Sequence, residues 1–223
     1  MNTQEKVIQT INSWIGCIQG DSTHRHIVDM YNIFSGSPLN NGRRAKINYT
    51  SAWCAATVTA AFYEAGAIEF FPCGECSCGK IIELAKKYGI WQEDDSYHPK
   101  KGDAVIYDWN DNGIGDDTTG HDHIGLVTDA DDKYFYVTEG NMGNAHKCGT
   151  RKLEYNARYI RGFVVPKFKD KEEKTEAYYF VQKGDNLTKI AKLCGVTKKQ
   201  ILELNPSIVN PNLIYPGQKV RVR

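Results

Sequence analysis

The chain has 223 residues, with 28 Lys+Arg against 27 Asp+Glu and a net charge of +1. That balance gives no electrostatic basis for binding nucleic acid or an acidic membrane surface. A hydrophobic content of 41% supports one good core plus a small module, and no apolar run is long enough to insert in a bilayer. The seven cysteines are an odd count, and a core of this size does not need disulfides, so mostly free thiols are expected.

Met1 to Asp21 is polar and amphipathic, with no basic end followed by an apolar run, so it does not read as a Sec-type signal peptide. The expected location is therefore the cytoplasm until release. Val7, Ile8, Ile11, Trp14, Ile15 and Ile18 recur at helical spacing and predict a helix over 3–19. A second short helix is expected over His26 to Phe34, followed by a Gly-, Pro- and Asn-rich loop from Ser35 to Tyr49. A third helix is expected from Ala52 to Ala65, with Ser51 as N-cap and Gly66 as stop. A fourth covers Lys80 to Tyr88 and ends at Gly89.

After Pro99-Lys100-Lys101-Gly102 the pattern changes to short β-rich runs at 103–109, 123–129, 134–139 and 159–165. Helices first and strands after predict an α+β domain with an antiparallel sheet. The charge run from Lys167 to Lys174 reads as a linker. The expected organisation is a first domain at 1–168, a linker at 169–177 and a second domain at 178–223. The second has a β-α-α-β order: a strand at 178–182, helices at 186–194 and 198–205, and a strand at 218–222.

Cys54 falls in the first turn of the third helix, where the N-terminus favours a thiolate. If the hairpin 123–139 turns about residue 131, His123 lies opposite Glu139, with Cβ atoms roughly 4.5–5.5 Å apart. Asn141 follows on the same face if the strand continues. An acid beside a histidine orients the ring and supports its charged form. A thiolate paired with such a histidine attacks an acyl carbon, and the histidine protonates the leaving amine.

The segments Tyr49-Thr50-Ser51-Ala52-Trp53-Cys54-Ala55, Pro99-Lys100-Lys101-Gly102-Asp103, Asp122-His123-Ile124-Gly125-Leu126-Val127 and Glu139-Gly140-Asn141 resemble the CHAP family. These are cysteine, histidine-dependent amidohydrolases/peptidases, related to NlpC-type peptidases, with a papain-like α+β fold. The resemblance implies Cys54 as nucleophile, His123 as base, Glu139 as acid and Asn141 as supporting amide. His121 is a competing base, and the Ile-Gly-Leu-Val that follows His123 favours His123. The resemblance also implies cleavage of an amide in peptidoglycan: in the stem peptide, in the cross-bridge, or in the bond joining glycan to peptide.

Tyr179-Phe180-Val181-Gln182-Lys183-Gly184-Asp185-Asn186-Leu187, with Asn205-Pro206 and Leu213-Ile214-Tyr215-Pro216-Gly217-Gln218, resembles a LysM domain. That family binds N-acetylglucosamine-containing glycans between two loops. Here those would be Gly184, Asp185, Asn186, Leu187 and Thr188 on one side and Asn212, Leu213, Ile214 and Tyr215 on the other. The implied partners are the glycan and stem peptide of the bacterial wall. The combination resembles phage endolysins. The alternative reading is a non-catalytic wall-binding or structural protein that has kept the fold.

Asp108, Asn110, Asn112 and Asp116 sit at positions one, three, five and nine of a calcium-loop pattern, with Gly113 at six. Thr119 stands where the bidentate Glu would be, so the expectation is at most a structural calcium ion, with no cofactor required for the chemistry. Cys73, Cys76 and Cys78 lack the second cysteine pair that a zinc site usually needs and read as free thiols. The sequence does not determine the oligomeric state.

Overall fold

The computed structural model describes residues 1–94, 96–112, 119–168 and 177–222. The chain divides into two compact units, Met1–Phe168 and Lys169–Arg223. Within the span expected as linker, 169–176 lie outside the described residues.

The first unit begins with α1 (Thr3–Asn12), α2 (Ser22–Gly36), α3 (Cys54–Glu64) and α4 (Cys78–Lys87). Asn2 and Glu5 form a capping box on α1, and Asp21 caps α2 by accepting from His24 N–H. Helix α1 stops well short of residue 19. Gly16 is left-handed, with φ 94°, and the chain turns there to bond with Cys148. Trp14 is buried, while Ile15 and Ile18 point to solvent. The apolar spacing therefore overstated the helix, because Trp14 is buried from a turn.

Six strands follow: β1 (Trp91–Gln92), β2 (Ala104–Tyr107), β3 (His123–Ala130), β4 (Tyr134–Met142), β5 (Lys147–Glu154) and β6 (Ile160–Val164). They form one antiparallel sheet in the order β1-β6-β2-β3-β4-β5. The alternation of side chains divides its core between two faces. Ala104, Ile106, Ile124, Leu126 and Val164 pack with the helices. Val105, Tyr107, Val127, Phe135, Val137 and Phe163 form a separate cluster. Helix α3 is the central helix, buried at every position from Cys54 to Phe62. This α+β architecture is the one expected from the order of elements.

The second unit pairs β7 (Tyr178–Phe180) with β8 (Lys219–Arg221) and places α5 (Leu187–Cys194) and α6 (Lys198–Leu204) between them in sequence. Asn186 caps α5, left-handed Gly195 ends it, and Thr197 with Gln200 forms a capping box on α6. Val181, Leu187, Ile190, Ala191, Ile201, Val220 and Val222 make its small core. Among the described residues, no helix is long and apolar enough to cross a membrane.

Candidate active site

Cys54 is the first residue of α3 and is buried to 7% exposure. The N-cap is Trp53, whose side chain makes no capping bond, instead of the expected Ser51. No side chain caps the N–H groups of that first turn, and the Ala55 N–H bonds the Cys54 sulfur. Gly140 lets α3 come this close to the sheet. A Cβ there would lie 2.1 Å from Thr57 Oγ1 and 2.8 Å from the Trp53 ring.

His123 opens β3, directly opposite Tyr107 on β2. The β3–β4 register differs from the expectation. Leu126 pairs with Thr138 and Val127 with Val137, with a shift between Val127 and Asp129. By that register Gly125 opposes Glu139, and His123 lies on the diagonal. The acid still reaches the ring, because Gly125 leaves the space between them open. His123 Nε2 lies 3.1 Å from Glu139 Oε2, which leaves Nδ1 for the sulfur.

Glu139 is fully buried and accepts from four donors. Besides His123, Tyr107 Oη donates to Oε1 at 2.6 Å, Arg151 Nε to Oε1 at 2.9 Å and Arg151 Nη2 to Oε2 at 3.1 Å. Burial raises the acid's pKa, and the bonds and charges of His123 and Arg151 overcome it and hold the carboxyl below its ordinary value. Burial likewise disfavours the His123 imidazolium, but Cys54 and Glu139 outweigh it and raise the pKa to about 9.

The Cys54 thiol lies well below its usual range, chiefly because the Cys78 thiol donates to its sulfur. Burial opposes this, and the His123 charge and the Ala55 N–H add to the lowering. The side chains thus favour a thiolate beside an imidazolium.

A cleft of about 330 Å³ opens at this point, lined by Trp109, His123, Asn141, Met142, Gly143 and Arg151. Asn141 lies at the irregularity of β4 between Glu139 and Met142. Its backbone is left-handed, φ 61°, and its Oδ1 accepts from His146 Nδ1 at 2.8 Å. The amide thus borders the cleft but is bonded to His146 instead of His123. His121, the competing base, is exposed; its ring packs over Gly79, and its Nδ1 bonds Thr119 O. Two residues in this site were not singled out from sequence, Tyr107 and Arg151, and Cys78 was read only as one of a cluster of free thiols.

The Cys73–Cys78 segment does not converge on one point. Cys73 is buried in the core, Cys76 Sγ donates to Glu75, and Cys78 meets Cys54. Among the described residues no group of three or more His, Cys, Asp or Glu is placed to hold a metal ion. Asp108 is buried; its Oδ1 accepts from Asn110 N–H and its Oδ2 has no hydrogen-bond partner. Asn110 thus gives a backbone donor to Asp108, Asn112 is exposed, and Asp116 lies outside the described residues.

In the second unit, Asp185, Asn186, Leu187, Thr188, Asn212 and Ile214 border a groove of about 690 Å³ together with Lys189, Lys192, Lys198 and Pro211. Leu187 borders the groove while its side chain is buried in the small core. Leu213 and Tyr215 are exposed but do not border the groove, and nor does Gly184, a left-handed turn residue with φ 88°. Asp185 instead holds its own loop, accepting from Tyr179 Oη and Gln182 N–H.

Residues 46–141 match the CHAP domain family, and residues 179–223 match the LysM domain family. Among curated proteins, the chain is 50% identical over 54 residues to an endolysin of Bacillus phage B103, covering 24% of this chain and 20% of that protein. It is 54% identical over 44 residues to an endolysin of Bacillus phage PZA, covering 20% and 17%. A stretch of the same length is 48% identical to SpoIVD-associated factor A of Bacillus subtilis (strain 168), covering 20% and 11%. The chain thus spans about a fifth or less of these relatives, and the shared stretch alone does not specify lysis. Among solved structures, the crystal structure of Ly7917 aligns with 80% of this chain and 65% of that chain, at 13% identity and a TM-score of 0.38.

Proposed function

We propose that this chain, a CHAP domain followed by a LysM domain, is a peptidoglycan hydrolase that cuts an amide bond by thiol chemistry. The target would be an amide of the stem peptide, of the cross-bridge or between muramic acid and L-alanine. The observation that carries this reading is the network at the cleft, with Cys54, His123 and Glu139 linked in series. The Cys54 thiolate attacks the amide carbon, and the oxygen takes up negative charge beside the uncapped N–H groups at the start of α3. The His123 imidazolium then protonates the leaving amine, and the neutral ring activates the water that releases the acyl group. Glu139 holds the ring and supports its charge throughout, and Asn141 borders the substrate's path.

The LysM unit would hold the enzyme on N-acetylglucosamine-containing glycan through the groove at Asn186, Thr188, Asn212 and Ile214. That raises the local concentration of cleavable bonds. A structural calcium ion at Asp108, Asn110, Asn112 and Asp116 belongs to the same proposal, supported by the buried, unpaired Oδ2 of Asp108. Added calcium that leaves both melting temperature and activity unchanged would remove it.

Purified peptidoglycan incubated with the wild-type chain and with Cys54→Ala tests the reading. The wild type should release new amino termini, and mass spectrometry of the digest should identify the cut amide. The variant should still sediment with the walls and release nothing. Equal release by the two would refute the mechanism.

A further inference from the structure

The polar side chains that border the cleft beside His123 are donors. Trp109 carries an indole N–H there and His123 an imidazole. Asn141 has its Oδ1 occupied by His146 Nδ1 at 2.8 Å, which leaves the N–H groups of its amide. Arg151 adds a guanidinium, and among the described residues no carboxylate borders the cleft. Such a lining is complementary to an acceptor that carries negative charge.

Arg151 has the geometry to meet one. A guanidinium holds its N–H donors in a planar fork, with a side edge and an end edge that each match a carboxylate. The side edge is taken, because Nε and Nη2 hold Glu139 at 2.9 and 3.1 Å. The end edge, Nη1 with Nη2, is not spent on Glu139. The Glu139 side chain is wholly buried, whereas 34% of the Arg151 side chain is exposed. The pair is neutral as a whole, but the cation is the charge nearer to anything that enters the cleft, and the field there follows the nearer charge. Arg151 Cζ stands 5.2 Å from the centre of the Trp109 ring and 5.6 Å from that of Tyr107. The two rings and the fork to Glu139 hold the guanidinium in one place, so a ligand that binds it pays little further ordering cost.

We propose that Arg151 determines specificity: its end edge receives a free carboxylate close to the scissile amide, so the enzyme favours stem peptides whose glutamate keeps its α-carboxylate over those in which that group is amidated. The proposal deepens the hydrolase reading and rests on it for the place of the amide in the cleft. The stem glutamate suits the role, because it is joined to its neighbour through the side chain and leaves its α-carboxylate on the chain being cut. Recognition and ring orientation do not compete. The substrate acid takes one edge of Arg151, while Glu139 keeps the other and its 3.1 Å bond to His123. A lysine at this position would supply the charge without the second edge.

The test uses two soluble stem pentapeptides with an N-terminal lactyl group, identical except that the glutamate α-carboxyl is free in one and amidated in the other. They retain the amides of the stem and of the glycan junction but offer the LysM groove no sugar. Binding to the full chain carrying Cys54→Ala is measured by titration calorimetry, so no turnover is needed. The acidic peptide should bind at least about tenfold more tightly, the least expected of a hydrogen-bonded charge pair. Adding Arg151→Gln should bring the two affinities within about twofold of each other, and Arg151→Lys should give a ratio between these. In the Cys54→Ala chain, the side-chain N–H resonances of Arg151 should move with the acidic peptide and stay in place with the amidated one; this arm decides even if the Arg151 variants do not fold. Equal binding of the two peptides, a ratio unchanged by Arg151→Gln, or unmoved Arg151 resonances would overturn the proposal. A wild-type chain that cuts both peptides equally well keeps the hydrolase reading and loses this one. Selective binding of the acidic peptide with no cleavage of either peptide or of whole peptidoglycan does the reverse.

Discussion

Gly125→Ala would separate the hydrogen-bond geometry of the site from its chemistry, because the substitution adds one methyl group and no polar atom. An ideal Cβ at position 125 would lie 2.3 Å from Val137 Cγ1 and 2.5 Å from Glu139 Cγ. Ordinary carbon contacts lie at about 3.5–4.0 Å, so each neighbour must retreat by roughly 1 Å. Neither does so easily: Val137 and Glu139 are both fully buried, and Val137 is stiff at χ1. Overpacking of this kind costs about 1–3 kcal/mol, which for a chain of this size lowers Tm by roughly 2–12 °C. The loss of activity should be larger. A carboxylate displaced by about 1 Å breaks the 3.1 Å bond to His123, since a contact near 3.6 Å or longer is no longer a hydrogen bond, and misplacement on that scale costs about 100-fold in rate. Thermal melting and the initial rate of peptidoglycan clearing read the two effects. Val137→Ala in the same chain should recover part of the stability by making room. A Gly125→Ala protein with unchanged Tm and a rate within about twofold of wild type would refute the reasoning.

Three further outcomes are expected. Glu139→Gln should lower kcat/KM by at least about 100-fold while wall binding is kept, because the ring loses its charged partner; steady-state kinetics beside a sedimentation assay read this. With the His123 pKa raised from 6.5 to about 9, its contribution to stability is complete below the unfolded value and is lost as pH rises through about 9. Both kcat/KM and Tm should therefore fall across that range, and His123→Gln should flatten the Tm profile. Gly140→Ala places a methyl group 2.1 Å from Thr57 Oγ1. It should destabilise by about 2 kcal/mol and displace the start of α3; a Tm unchanged from wild type would refute this.

How much of the site was legible in the sequence depends on what each inference needed. The pairing of His123 with Glu139 needed only that the two share a face. The expected hairpin register was off by two residues: the pairs Ala130–Phe135 and Asp129–Tyr136 centre the turn at 132–133 instead of 131, and the shift between Val127 and Asp129 takes one residue back. A displacement of two preserves the face, whereas a displacement of one would have sent the acid to the helix side. Strand β5 was not legible. It is an edge strand in which exposed Lys147, Thr150, Lys152 and Glu154 flank half-buried Arg151 and Leu153, and charge on an edge hides the apolar alternation. Arg151 went unnoticed with it. Cys78 was seen as part of a cysteine cluster, and only the packing of α4 shows that it belongs with Cys54. In α1, Trp14 and Ile18 fit the helical spacing, and the left-handed Gly16 overrides it.

The missing side-chain cap at the start of α3 has a consequence of its own. A capping Ser or Asp oxygen is worth about 1 kcal/mol to a helix, but here it would fold back onto the N–H groups beside Cys54, and the fully buried Trp53 ring would be lost with it. The protein would then carry a tethered occupant of its own reaction centre, one that an incoming carbonyl would have to evict at every turnover. With an indole there, the helix forgoes that increment of stability and remains free of self-inhibition.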